Sequence, residues 1–186
     1  MSDSNDKPTA LDPTEPPSED PEPPDRLTVA LVREDGDWNG FGPIEKAVAQ
    51  AANALADNPR VELPWGSQAA LVLGNDALVR RLNCTYRGID ASTNVLSFPF
   101  QRPPGAAEED SFYLGDVVLA AETVAREAVD RRIEPRHHLQ HLVVHGLLHL
   151  LGHDHAADEQ ATAMERIETE VLETIGVADP YAAAAR

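Results

Sequence analysis

Three histidines, His145, His149 and His155, stand at a spacing from which a helix and one turn can aim all three rings at a single cation. At ~100° per residue, His145 and His149 fall one helical turn apart on one face. Gly152 allows the left-handed backbone that ends a helix, after which the reversed chain can bring His155 back toward the same point. Three neutral imidazoles with the fourth position left to water are the pattern of a catalytic zinc, because structural zinc usually closes its shell with cysteines. Cys84 is the chain's one cysteine. A zinc so held lowers the pKa of bound water to about 7 and polarises a carbonyl or phosphoryl oxygen, which points to hydrolysis or hydration.

The competing reading is a core helix rich in histidine. On a helical wheel, His138, His141, His145, His149 and Gly152 fall within about 40° of one direction, with Leu139, Val143, Leu147 and Leu150 opposite. One side is expected to pack and the other to line something. Buried imidazoles without partners lose solvation, so four on one stripe favour a site over a core. The same histidine spacing matches the metzincin peptidases, where the residue after the first histidine is the glutamate that deprotonates the attacking water. That position here is Gly146, which disfavours peptide hydrolysis, and Met164, inside a predicted helix, makes a poor Met-turn.

Patterning supplies the elements that must position these groups. Leu27 to Arg33 alternates apolar and polar residues with β-branched content and predicts a strand. Helical spacing runs from Pro43 to Ala56 and stops at Asn58 and Pro59. Ala69 to Leu73 reads as a second strand; Asn75 or Asp76 then caps a short helix through Ala77, Leu78 and Leu82 that ends near Tyr86, Arg87 and Gly88. A third strand spans Asn94 to Phe100, followed by a loop from Arg102 to Asp110, and a fourth spans Tyr113 to Ala120 before a helix from Glu122 to about Arg132. Pro135 suits the first turn of the histidine helix. Asp158 is placed to cap a last helix through Met164, Ile167, Val171, Leu172 and Ile175 to Gly176. The predicted fold is α/β, of the α+β type, with a small mixed sheet of about four strands packed with about five helices. The metal site lies on a long helix in the C-terminal half.

Composition bounds the rest. Residues 1–25 hold seven of the fifteen prolines and eight acidic residues against Lys7 alone, which predicts a disordered acidic tail with neither the basic start nor the apolar run of a signal peptide. Residues 26–180 are expected to form one domain. No apolar run approaches the ~20 residues of a membrane span, and a lone cysteine suits a reducing cytoplasm. Taking the tail's eight acids and one base from the net charge of −17 leaves −10, which argues against sequence-independent wrapping of nucleic acid. Local binding remains open through Arg80, Arg81 and Arg87, and through Arg126, Arg131, Arg132 and Arg136.

Three stretches in order carry a resemblance: LNCTYRG at 82–88 followed by TNVLSFP at 93–99, LGDVVL at 114–119, and HGLLHLLGHDH at 145–155. Together the chain resembles the YbeY family of bacterial ribosomal-RNA maturation endoribonucleases, with order and spacing agreeing from roughly Leu27 to Gly176. The resemblance implies an α/β fold with a metal cleft and cleavage of single-stranded RNA in 16S rRNA 3′-end maturation and ribosome quality control. It further implies the 16S rRNA precursor and the ribosomal small subunit or its proteins as partners, in the cytoplasm. It makes His145, His149 and His155 the ligands of one Zn2+ and Arg87 a catalytic residue. A guanidinium suits that role, since it can give phosphate two parallel hydrogen bonds and balance developing charge. Taken alone, Arg87 reads more readily as a solvated charge at a helix end.

Weaker candidates surround these four. His153 stands where the family commonly has tyrosine and could be a spectator or a fourth ligand, although two residues from His155 it cannot easily share that ring's direction. Asp154 could orient a ligand's second nitrogen or bond local backbone. His141 could contact substrate, shuttle protons, or be satisfied by a backbone carbonyl. Asn94 and Ser97 on the third strand could meet substrate; Asp116 could orient the metal site or end a strand pair. Two other functions are weighed: a metal-dependent peptidase, and a non-catalytic ribosome-assembly factor whose metal supports structure.

Overall fold

Two central strands buried on both faces organise the molecule, and a third and fourth flank them. The computed structural model describes residues 25–101 and 112–182; the predicted tail, apart from Asp25, and the predicted loop at 102–110 lie outside the described residues. The strands are β1 (Leu27–Arg33), β2 (Ser67–Gly74), β3 (Val95–Pro99) and β4 (Tyr113–Ala120), in the spatial order β1-β2-β4-β3. β1, β2 and β4 run parallel, and β3 is antiparallel to β4, so the sheet is mixed. Ala69, Leu71, Leu73, Val117 and Leu119 face the main core, while Val72, Val118 and Ala120 face the other side. Burial on both faces explains why β2 and the end of β4 read as continuous apolar runs rather than alternating ones.

Helices α1 (Ile44–Asp57), α4 (Pro135–Leu150) and α5 (Asp158–Thr174) cover the main face, and α2 (Asp76–Arg87) covers part of the other through Leu78, Val79 and Leu82. α3 (Ala121–Arg131) follows β4 directly and contacts α4. The Asn75 side chain accepts the Leu78 N–H at 2.8 Å and starts α2, and Pro135 starts α4, both as patterning predicts. α5 departs from expectation: its cap is Ala157, and Asp158 is the first residue inside, where its charge complements the positive helix end without capping it.

α4 also departs from the wheel. The leucine side packs as expected, yet His138 and His141 are buried as well, because α1, α3, α5, β3 and β4 all contact this helix. Of the four histidines on this stripe, only His145 and His149 are partly exposed. α4 lies so close to the sheet that a Cβ at Gly146 would meet Val117 Cγ1 at 2.6 Å, and Ser97 Oγ donates to the Gly146 carbonyl at 3.1 Å. Position 146 is therefore glycine for packing. No helix among the described residues is long and apolar enough to cross a membrane.

Candidate metal centre

The end of α4 is a Schellman turn. Gly152, at φ 88°, returns its N–H to the His149 carbonyl at 3.1 Å, and His153 returns its N–H to the Leu148 carbonyl at 3.0 Å. The reversal brings the His155 ring to 5.5 Å from that of His145 and 5.0 Å from that of His149, whose own rings are 4.6 Å apart. One ligating atom from each of the three lies within 4.8 Å of the others, so the group could hold a metal ion.

Hydrogen bonding decides what the facing nitrogens carry. His145 Nδ1 donates to Glu168 Oε1 at 2.8 Å, and His149 Nδ1 donates to the His153 carbonyl at 3.0 Å. Both neutral rings then present a bare Nε2, and these two nitrogens face each other at 3.1 Å. Two lone pairs cannot bond one another; a cation between them satisfies both. Burial, reinforced by the neighbouring His145 and His155 rings, pushes His149 below the ordinary histidine range, which keeps that ring a ligand rather than a cation. The donor set of three imidazole nitrogens fits a borderline-soft divalent ion.

His141, His145 and Glu168 form a second group close enough for a metal. There the facing atoms already hydrogen bond: His141 Nε2 lies 3.2 Å from Glu168 Oε2, and the Tyr181 hydroxyl donates to the same oxygen. Burial would raise the Glu168 carboxyl, but the bonds from His141 and His145 outweigh it and hold it at about 2. Protons thus occupy the positions a metal would need in this second group.

Across from the histidines, Arg87, Ser97 and Pro99 join His149, His153 and His155 around a cleft of about 430 Å³. Arg87 is the last residue of α2, and the following backbone is folded onto that helix by Gly88 at φ 71°, by Asn83 Nδ2 donating to the Ala91 carbonyl at 2.8 Å, and by the Arg80–Asp90 pair. Among the described residues the Arg87 side chain has no hydrogen-bond or carboxylate partner. A larger cavity of about 830 Å³ along α2 contains none of the three histidines.

The sequence pattern of one protein family, Endoribonuclease YbeY, matches residues 41–176 of this chain, the span that contains every feature of the cleft. The chain belongs to the YbeY family. Relatives named Endoribonuclease YbeY include one from Parvibaculum lavamentivorans, 44% identical over 84% of this chain and 86% of its own length. Another, from Rhodopseudomonas palustris strain BisB18, is 47% identical over 78% and 86% of the two chains. A solution structure of the protein TM1509 from Thermotoga maritima shares the fold with a TM-score of 0.51 and 21% identity, over 80% of this chain and 91% of that one.

Within this YbeY member, the structure brings together His145, His149, His155 and Arg87, together with Ser97 and His153. Asn94 goes elsewhere, donating to Glu127 Oε2 at 2.9 Å, an oxygen that also contacts His138 Nε2 at 2.8 Å. Asp116 lies on the sheet face away from α4 and accepts the Tyr113 hydroxyl at 2.7 Å. Asp154 bonds local backbone, accepting the His155 N–H at 2.7 Å, so the His153 carbonyl, not this carboxylate, orients His149. His141 pairs through Nε2 with a carboxylate and not with backbone. Sequence reasoning missed that carboxylate. Its signal was a glutamate on the apolar stripe of α5, one turn from Met164 and Leu172.

Proposed function

We propose that this protein is a zinc-dependent endoribonuclease that cleaves single-stranded RNA in 16S rRNA 3′-end maturation and ribosome quality control, acting in the cytoplasm on the small subunit, with residues 26–180 as its single catalytic domain. The observation that carries the reading is the pair of bare Nε2 atoms of His145 and His149, 3.1 Å apart, with His149 and His155 lining the cleft that Arg87 also lines in a member of an endoribonuclease family. His145, His149 and His155 would hold the Zn2+. When bound, the ion supplies Lewis acidity toward water and a phosphoryl oxygen.

The chain's own residues account for the remaining work. Arg87, with no carboxylate partner among the described residues, binds the scissile phosphate through its paired N–H groups and balances the charge that gathers on the phosphoryl oxygens. The Asn83 and Arg80 contacts hold the turn that carries it, which limits the motion lost on binding. Peptide hydrolysis is disfavoured on steric grounds, since a glutamate at position 146 would run into Val117.

The test compares wild type with His149→Ala, each confirmed as folded and supplied with Zn2+, on end-labelled single-stranded rRNA. Wild type is expected to cut and the variant to lose cleavage by at least a hundredfold. Equal cutting, or none by either, removes the nuclease reading and favours an assembly factor that binds without cleaving.

A further inference from the structure

Glu168 is a carboxylate with no solvent exposure, set on α5 among Met164, Ile167, Val171 and Leu172. A buried charge is costly unless its oxygens are fully engaged, and a leucine would fill the same space without that cost. Both oxygens are engaged. Oε1 takes the Nδ1 proton of His145 at 2.8 Å, and Oε2 contacts His141 Nε2 at 3.2 Å and takes the Tyr181 hydroxyl. With its proton on Nε2, His141 is left with Nδ1 as a bare acceptor, and that atom is buried without a partner among the described residues. An unpaired acceptor is an easier burden than an unpaired donor, so the arrangement fixes the direction of both donors toward the carboxylate.

We propose that Glu168 is a positioning residue for the metal centre: it holds His145 in the tautomer and direction that point Nε2 at a divalent cation, while His141 and Tyr181 keep the carboxylate from turning away. Tyr181 reaches Glu168 from beyond the end of α5, so the segment after that helix contributes to a site whose cleft lies at the end of α4. The carboxylate also sets a full negative charge against the ring nitrogen, which raises the basicity of the ligating Nε2. Packing alone explains neither the charge nor its three donors. This inference rests on the reading of His145, His149 and His155 as ligands.

Metal-stripped wild type, His149→Ala, Glu168→Gln and Tyr181→Phe proteins, all full length, are titrated with Zn2+ against a chromogenic chelator, and the visible spectrum of each Co2+-loaded form is recorded. Metal-free melting curves establish folding. Glu168→Gln keeps an oxygen able to accept from His145, removes the charge, and turns the acceptor facing His141 and Tyr181 into an N–H donor. We expect it to bind Zn2+ about 10–100-fold more weakly, with an altered Co2+ band, and Tyr181→Phe to weaken binding several-fold in the same direction. Wild-type affinity and spectrum in both variants overturn the inference. If Glu168→Gln does not fold, Tyr181→Phe decides, and unchanged affinity there overturns it. Failure of the underlying reading looks different: wild type then binds no Zn2+, or His149→Ala binds as tightly as wild type.

Discussion

Arg87 lines the cleft beside the candidate metal site and has no carboxylate partner among the described residues, which makes a sharp expectation. Arg87→Ala should lower kcat on single-stranded RNA by about 10²–10³, the loss typical of removing one preorganised donor from developing charge. Arg87→Lys keeps the charge but loses the paired geometry, and should recover only part of the rate. Zn2+ affinity should be unchanged in both, which separates this residue from the proposed ligands. Rates under saturating RNA with metal content measured on the same samples check it; a fall confined to KM would make Arg87 a binding residue only. The three histidines were legible as a candidate ligand group because their spacing is local, across one helix end and one turn, whereas Arg87, at the end of α2, stood out only through the family resemblance. Glu168 was not legible, because its bond to His145 crosses 23 residues and two helices, a separation at which periodicity carries no pairing information.

At the scale of elements, the helix-ending glycine of α4 does what its sequence position suggests. A Cβ at Gly152 would meet nothing within 4 Å, so the whole cost of a substitution lies in the backbone at φ 88°. Gly152→Ala should destabilise the metal-free protein by about 1–2 kcal/mol, since an L-residue is strained in that region. Because His155 follows the reversal, Zn2+ affinity should fall too, and urea unfolding beside a chelator competition reads both. Unchanged affinity with lowered stability would show that His155 reaches its place without this turn. The strands and helices themselves were legible nearly to the residue, with β1 and β4 matching their predicted bounds. What patterning could not give was the burial of α4 on its histidine side. A helical wheel separates polar from apolar faces, and it equates polar with exposed; His138 and His141 break that equation because Glu127 and Glu168 on neighbouring helices each pair with the Nε2 of one of them.

For the whole molecule, these buried pairs tie stability to pH. Burial pushes His138 below the ordinary histidine range, with Glu127 offsetting only part of the effect. Below about pH 6.5 the unfolded chain therefore takes up a proton that the folded chain resists, and stability falls as pH drops. Glu168 acts in the same direction at lower pH, because the unfolded carboxyl protonates near its ordinary 4.5 while the folded one stays ionised to about 2. At the alkaline end, burial and the Glu168 charge hold the Tyr181 phenol protonated beyond the ordinary tyrosine range. The unfolded chain loses that proton first, so stability falls as pH rises above about 10. Metal-free protein should thus be most stable between about pH 7 and pH 10, with the urea midpoint declining in two stages on acidification. Zn2+-loaded protein should decline more steeply below pH 6.5, since protonated imidazoles cannot ligate and each released ion removes its share of stability. Urea midpoints taken from pH 4 to 11 with and without Zn2+ test both curves. A metal-free midpoint that stays flat from pH 7 to pH 5 would mean that the interior admits a charged imidazole at His138, and the buried carboxylate–histidine pairing on α4 would then need a different account.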